Sequence, residues 1–529
     1  MLRKTRIVAA IIFLLCITAM FIDWTGTLRH WFGWMAKIQF LPALLALNVV
    51  VVAALVVLTM LCGRIYCSVI CPMGVFQDVV NHLSAKRKGK KKRFKYLPAN
   101  NWLRYGVFAL FVIAILAGFT AIASFIAPYS AYGRMVQNLF APIAIWINNL
   151  FADVAKSNDS YAFIAKPLWI RSWAVFIVAA LTFIIITALA WWKGRIYCNT
   201  ICPVGTLLGF LSRFSWLRPV INTDKCANCG SCGRRCKASC INTKEHTIDL
   251  SRCVACMDCI DECSFGAISF TTRRPKLIKS SSKTKEATPA KEANSAKEAT
   301  PAKEATPAKE ATPAKEAKAA DSGRRSFIIA GATIAGSVII AKAQKTTDGG
   351  LAVIEDKQPS HRKTKLVPPG AQSLKNFTEH CTACQLCVSQ CPNGVLRPST
   401  DLDGFMQPEM SYERGFCRPE CTACSSVCPA GAIIPIAKED KSAIQIGRAV
   451  WNPKNCVVLT DDVECGNCAR HCPTGAITMV PSDPNNPDSR KIPTVDENRC
   501  IGCGACENLC PARPFSAIYV EGNERHRNV

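Results

Sequence analysis

Gly63-Arg64-Ile65-Tyr66-Cys67-Ser68-Val69-Ile70-Cys71-Pro72-Met73-Gly74 returns later in the chain as Gly194-Arg195-Ile196-Tyr197-Cys198-Asn199-Thr200-Ile201-Cys202-Pro203-Val204-Gly205. Each copy follows an uncharged apolar stretch, so the chain opens with a duplicated helix–helix–motif unit. Cysteines four apart fall on one helical face, and a pseudo-twofold relation between the copies would gather Cys67, Cys71, Cys198 and Cys202. Four thiolates at the membrane edge could hold a further metal centre or work as a redox dithiol pair. The plainer alternative is that Cys-x3-Cys-Pro only shapes a helix end, the proline stopping the helix.

Outward from the motifs, Ile7–Ile22, Phe40–Leu61, Tyr105–Ile126 and Trp173–Trp192 are uncharged and predict four membrane helices. A helix needs about 20 residues to cross the hydrocarbon. Trp24, Trp102, Tyr105, Trp173, Trp191 and Trp192 stand near span ends, as interfacial anchors do. Gly63–Arg104 carries ten Lys/Arg, eight of them in Lys86–Lys95, whereas Ala127–Ser172 carries four. With Arg3, Lys4 and Arg6, this asymmetry places the N-terminus and both motifs on the cytoplasmic side. The amphipathic stretch Met135–Val154 then faces outward. The net charge of +26 over 529 residues is thus a matter of topology and not of nucleic-acid binding. A composition 50% hydrophobic, with its apolar runs concentrated before residue 200, excludes one soluble domain and a fully disordered chain.

The chain has 31 cysteines, and 24 fall into six groups of four at metal-ligand spacing, which disfavours a disulfide scaffold. Cys226-x2-Cys229-x2-Cys232-x3-Cys236 and Cys253-x2-Cys256-x2-Cys259-x3-Cys263 have two-cluster ferredoxin spacing, in which the last cysteine of each run crosses to the other cluster. One [4Fe–4S] cluster is therefore assigned to Cys226, Cys229, Cys232 and Cys263, the second to Cys253, Cys256, Cys259 and Cys236. Zinc is the main alternative metal. Lys237 and Ser264 replace the usual proline, and Cys240 rivals Cys236 as a ligand. Four more runs follow: Cys381, Cys384, Cys387, Cys391; Cys417, Cys421, Cys424, Cys428; Cys456, Cys465, Cys468, Cys472; and Cys500, Cys503, Cys506, Cys510. Each ends in Cys-Pro, and the middle two have widened first intervals, read as loop insertions. Cys16 and Cys62 have no partners at ligand spacing and read as buried apolar thiols.

Boundaries follow from composition. Residues 1–220 form the transmembrane module, 221–272 a two-cluster ferredoxin domain, and 346–529 a four-cluster ferredoxin domain. Between them, 273–322 is a linker of Lys-Glu-Ala-Thr-Pro-Ala units. Residues 323–345 hold Arg324-Arg325 before an uncharged run, a twin-arginine-like export signal or else a fifth span. The expected fold is a membrane α-helical bundle of four spans, with that candidate fifth, plus α+β ferredoxin-like domains.

Tyr-Cys-x3-Cys-Pro-x-Gly after membrane helices, followed by a two-cluster ferredoxin, resembles the membrane ferredoxin subunit of the quinol dehydrogenase that feeds periplasmic nitrate reductase. Relatives of that subunit include the membrane regulator of nitrous oxide reductase, methylamine-utilisation ferredoxins and an accessory protein of cytochrome oxidase assembly. The part from Arg324 onward resembles the same system's periplasmic four-cluster subunit, so the chain looks like the two fused. The resemblance implies pairing of the first C-terminal run with the fourth and of the second with the third. Cys510 would then join Cys381, Cys384 and Cys387, and Cys391 would join Cys500, Cys503 and Cys506. Likewise Cys472 would join Cys417, Cys421 and Cys424, and Cys428 would join Cys456, Cys465 and Cys468.

The expected function is electron transfer from the quinol pool through six [4Fe–4S] clusters, with one more metal centre if the motif cysteines bind one, to a cytochrome or periplasmic reductase. The setting would be a bacterial inner membrane and its lipid, with 221–272 cytoplasmic and 346–529 periplasmic. No Cys-x-x-Cys-His haem site occurs, nor a Gly-x-Gly-x-x-Gly after an expected strand. The last electron must therefore leave to another protein, which makes the chain a component of a dehydrogenase and not a stand-alone catalyst. Two further readings stay open: an accessory donor for metalloenzyme maturation, and a zinc-binding scaffold. His30 and His82 lie near span ends and read as surface residues.

Overall fold

Ser172 and Asn48 open two of the apolar helices, and Gly194 and Gly63 close them. Ser172 Oγ accepts the Val175 amide at 3.5 Å at the start of Trp173–Lys193, and Asn48 Oδ1 accepts the Val51 amide at 3.2 Å at the start of Val49–Cys62. Both closing glycines have positive φ, 70° and 71°, which costs a residue without Cβ little. At Gly194 an added Cβ would also lie 2.4 Å from the Lys237 carbonyl. The structure, a computed structural model, describes residues 2–23, 25–87, 94–160, 163–272 and 355–529. The expected linker and export signal, and most of the basic run, lie outside them.

Among the described residues, three helices are long and apolar enough to cross a membrane: Leu2–Ile22, Pro128–Ser157 and Trp173–Lys193. On the last, Ile177, Leu181, Ile184 and Ile185 are exposed at helical spacing, a face that suits lipid. These helices mark a membrane protein. Two of the four expected spans are not continuous. Phe40–Leu61 is divided into Phe40–Leu45 and Val49–Cys62 at Leu47, whose φ is 51°, because Asn48 starts a new cap. Tyr105–Ile126 is divided into Asn101–Leu116 and Thr120–Ile126 at Gly118, φ 77°. The stretch Met135–Val154, expected to face outward between spans, lies instead in the 30-residue helix Pro128–Ser157, itself long and apolar enough to cross, which contains a π-turn at Val136–Phe140.

Met1–Arg274 and Thr347–Val529 pack as one unit, with the two cysteine-rich domains at opposite ends of the helices. At one end of Leu2–Ile22, Arg3 Nε pairs with Asp258 of the two-cluster domain at 2.9 Å. At the other end, Gln390 Nε2 donates to the carbonyls of Met20 and Asp23 at 3.0 and 2.6 Å. Trp173–Lys193 repeats the pattern. Val175 packs with Ala383 and Met406, and past its far end the Arg195 amide donates to the Lys237 carbonyl at 3.0 Å. A 21-residue helix is about 31 Å long, close to the hydrocarbon thickness of about 30 Å. The divided segments run the same way: Arg104 bonds Ser251 at one end of its segment, and Thr120 bonds Thr378 and Gln407 at the other.

Small antiparallel sheets complete the α+β domains. Arg218–Ile221 pairs with Ile268–Thr271, Ile444–Trp451 with Ile518–Asn528, and Ile477–Asp483 with Asn486–Val495. One buried carboxylate joins the two-cluster domain to the bundle in addition to these contacts. Asp78 meets Arg195 at 2.7 Å, Lys237 at 2.8 Å and Arg6 at 3.1 Å, and Lys237 also reaches Asp258 at 3.0 Å. Lys237, anomalous in the cysteine run, is thereby explained: a proline there would have no ammonium to offer. Burial alone would raise the Asp78 pKa, but Arg195 and Lys237 hold it well below the usual carboxylate range.

Asp78→Asn leaves three buried cations without their shared anion, a cost of about 3–5 kcal/mol. Limited proteolysis of the purified full chain should then cut around residues 221–272, which resist in the wild type. Because the folded pKa lies below the unfolded one, Asp78's contribution is complete above the unfolded value and is lost as pH falls through the folded one. Acid should therefore loosen the domain only below about pH 4, readable as faster amide exchange, while neutral and alkaline samples stay alike.

Candidate metal centres

The four cysteine runs with unwidened spacing share one backbone device. Asn228 and Gly230 flank Cys229, Ala255 and Met257 flank Cys256, Ala383 and Gln385 flank Cys384, and Gly502 and Gly504 flank Cys503, all with φ between 48° and 77°. Left-handed residues at such positions turn successive amides into a concavity that favours anionic groups, iron–sulfur clusters included. The last cysteines receive amide bonds as well: Ala267 to Cys263, Ala476 to Cys472 and Ala517 to Cys510, each at 3.3 Å. Ala267 and Ala476 stand in Gly-Ala-Ile tripeptides, so this piece of sequence serves the fourth sulfur. Burial pushes the Cys384 thiol up to about 11 and Cys503 to about 12, so these groups ionise only with a cation to hold. The donor set fits cubanes.

In the two-cluster domain, Cys232 has Cys226, Cys229 and Cys263 as charge neighbours, while Cys253, Cys256 and Cys259 line a cavity with Cys236. Cys240 lines that cavity too, its sulfur 3.5 Å from that of Cys236, so this site has five thiols.

The C-terminal pairing differs from the expected one. Cys381, Cys384 and Cys387 lie near Cys428, not Cys510. Cys417, Cys421 and Cys424 line a cavity with Cys391, not Cys472. Cys500, Cys503 and Cys506 share theirs with Cys472, not Cys391, and Cys456, Cys465 and Cys468 share theirs with Cys510, not Cys428. The reason is local: the helix Leu386–Ser389 packs on Ala423–Val427, and Asn467–Arg470 on Ala505–Leu509. Successive runs therefore exchange their last cysteines, first with second and third with fourth.

Within the bundle, Cys67, Cys71, Cys198 and Cys202 converge, each 4% exposed. Arg195 Nη1 donates to the Cys67 carbonyl at 2.6 Å, and Arg64 Nη2 to the Cys198 carbonyl at 3.0 Å, so each motif braces the other. Cβ atoms at Gly74 and Gly205 would lie 2.2 and 2.3 Å from those same carbonyls, which explains the glycines closing both motifs. Gln77 Nε2 donates to Cys198 Sγ at 3.2 Å and the Gly205 amide to Cys202 Sγ at 3.3 Å. Tyr66 and Tyr197 are buried, their hydroxyls donating to Gln39 at 3.0 Å and to the Ile126 carbonyl at 2.9 Å. The arginines, tyrosines and glycines carry this architecture, and their signal was present: they repeat in both copies along with the cysteines. Cys16 and Cys62 are half-buried. His30 and His82 do not line these centres, and His82 is exposed.

Shared neighbours set the thiol groups in series. Arg195 has both Cys198 and Cys256 as charge neighbours, linking the bundle centre to the two-cluster domain. Beyond the centre, Tyr197 neighbours Cys202 and Arg134, and Arg134 neighbours Cys384. Cys503 neighbours Cys417, joining the two C-terminal pairs. Among the described residues, no group of three His, Cys, Asp or Glu is close enough for a single ion, and every described cysteine is a free thiol.

Comparisons agree with this chemistry. A family profile described as a 4Fe-4S binding domain matches residues 44–91 and 173–222, each enclosing one Cys-x3-Cys-Pro motif. A 4Fe-4S dicluster domain profile matches 463–513, which holds seven of the eight cysteines of the third and fourth runs together. The chain is similar to the methylamine utilization ferredoxin-type protein MauM of Methylobacillus flagellatus, 33% identical over 29% of this chain and 67% of the relative. It is also similar to the ferredoxin-type protein NapG of Escherichia coli, 31% identical over 31% of this chain and 76% of the relative. Similarity to YccM of Escherichia coli, a chain named for electron transport, is 24% over 46% of this chain and 60% of the relative. No solved structure matches.

Cys428→Ser in the reconstituted protein should weaken the cluster bound by Cys381, Cys384 and Cys387. Cys510→Ser should leave that cluster intact and weaken the one at Cys456, Cys465 and Cys468. Site-resolved EPR after stepwise reduction distinguishes the two patterns. Gly205→Ala should push the Cys198 carbonyl out of place and raise the reactivity of the four bundle thiols toward a maleimide in the purified protein, while the ferredoxin signals persist.

Proposed function

The chain belongs to the ferredoxin-type iron–sulfur electron-transport proteins, and on that premise we propose that it carries electrons from the membrane quinol pool, through [4Fe–4S] clusters, to a redox partner outside the cytoplasm. The observation that carries this reading is the serial arrangement of thiol groups: Arg195 neighbours both the two-cluster domain and the Cys67, Cys71, Cys198, Cys202 set, and Tyr197 with Arg134 stands between that set and the four-cluster domain. Cubanes move single electrons and are tuned by their surroundings. Each four-cysteine set would hold one, and the bundle set a further cluster. The protein's share of the work is spacing, burial and charge: Arg64 and Arg195 stand against the bundle thiols, where positive charge favours the reduced form.

In this reading residues 221–272 face the cytoplasm and 346–529 the periplasm of a bacterial inner membrane. A membrane ferredoxin subunit and an exported one would then be joined in one chain, and the partner would be a cytochrome or a periplasmic reductase. Opposite placement of the two domains on the Leu2–Ile22 and Trp173–Lys193 helices supports this, as does the density of Lys and Arg near the motifs.

Protease added to intact spheroplasts should remove the C-terminal domain and spare the two-cluster domain, which yields only after lysis. Protection of both before lysis would remove the two-sided arrangement. Anaerobic addition of a soluble quinol to the purified holoprotein should bleach the iron–sulfur absorbance, and inert clusters would remove quinol as donor.

A further inference from the structure

A cavity of about 630 Å3 opens where the four-cluster domain meets the bundle. Its size falls among small-molecule sites. Phe21, Phe176, Trp169 and Phe416 give it aromatic walls, and Gln137, Asn138 and Gln385 line it with amides. We propose that this cavity binds the head group of a quinol and that the electrons enter the chain here. The proposal rests on the quinol reading above and names its site.

Three observations converge. First, Gln385 is 1% exposed; its Oε1 accepts from Asn138 Nδ2 at 3.0 Å, but its Nε2 has no hydrogen-bond partner. A buried amide donor left unmatched is destabilising, and a ligand oxygen would satisfy it. Second, the cavity borders two cluster sites. Gln385 directly follows Cys384, and Cys391, which joins Cys417, Cys421 and Cys424, is itself a lining residue. Third, Pro142 and Ile145 of the Pro128–Ser157 helix line it, and the same helix exposes Ile143, Trp146, Ile147 and Leu150. A ligand reaching this site from lipid needs an apolar tail, a flat aromatic head and hydrogen-bonding oxygens. Quinols have all three.

Among the described residues no carboxylate or histidine lines the cavity; Lys166, Arg171, Arg414 and Arg418 do, and Arg414 lies 4.4 Å from the Trp169 ring centre. Cations lower the pKa of a hydroxyl facing them, so both O–H bonds break with their protons passing to water. The ring C–O bonds become carbonyls and quinol leaves as quinone. Its two electrons would pass one each to the clusters that Cys381, Cys384, Cys387 and Cys428, and Cys417, Cys421, Cys424 and Cys391, would hold.

The test uses the full-length holoprotein in neutral phosphatidylcholine vesicles. A photoreactive azidoquinone should label peptides spanning Gln137–Ile145 or Pro167–Arg171, and unlabelled quinol should compete. Ile145→Trp, which fills the cavity, and Asn138→Leu should slow bleaching by quinol about tenfold or more, with dithionite bleaching unchanged. Labelling elsewhere, or wild-type quinol rates in both variants, would overturn the site. Displacement of the label by phosphatidylglycerol and not by quinol would also overturn it, making the cavity a lipid head-group site. Labelling here without bleaching of the wild type would uphold the site and remove the donor role.

Discussion

Arg64 and Arg195 each leave their own motif to bond the first cysteine carbonyl of the other, and the rest of the molecule is arranged around that exchange. Neither motif can hold its cysteine turn alone. The guanidinium that braces Cys67 comes from the far copy, and the same group goes on to Asp78, which fastens Lys237 and with it the two-cluster domain. Buried cations are tolerable only where every one is paired or hydrogen-bonded. The symmetric braces and the Asp78 network meet that condition.

The centre so held is a midpoint. Its arginines face the two-cluster domain, and its tyrosines face the other way, toward Gln39, Ile126 and Arg134. The four-cluster domain closes the far end by bonding main-chain carbonyls at Met20 and Asp23, groups that the end of a helix leaves unmatched. Domain docking and helix termination are thus one event. The same docking encloses the cavity beside Cys391, which belongs to neither domain alone.

How legible this was depended on the range of the cause. Nested amides around Cys229, Cys256, Cys384 and Cys503 are set by spacing within a few residues, and the spacing alone pointed to cubanes. The helix breaks were less visible, because hydropathy averages over Leu47 and Gly118 whereas one left-handed residue divides a helix. The C-terminal pairing was not visible in the residues at all. Every run ends in Cys-Pro, so nothing local marks which neighbour the last sulfur visits, and that choice was made by which short helices pack together.

Residue order by itself thus determined the ligand type, the repeat and the apolar segments, since each follows from chemistry or periodicity read along the chain. Only the tertiary structure decided the crossed arginines, the role of Asp78, the exchange of Cys391 with Cys428 and of Cys472 with Cys510, and the cavity at Gln385. All of these join residues far apart in sequence. Their partners are selected by packing and by the need to match buried charge, which no local pattern encodes.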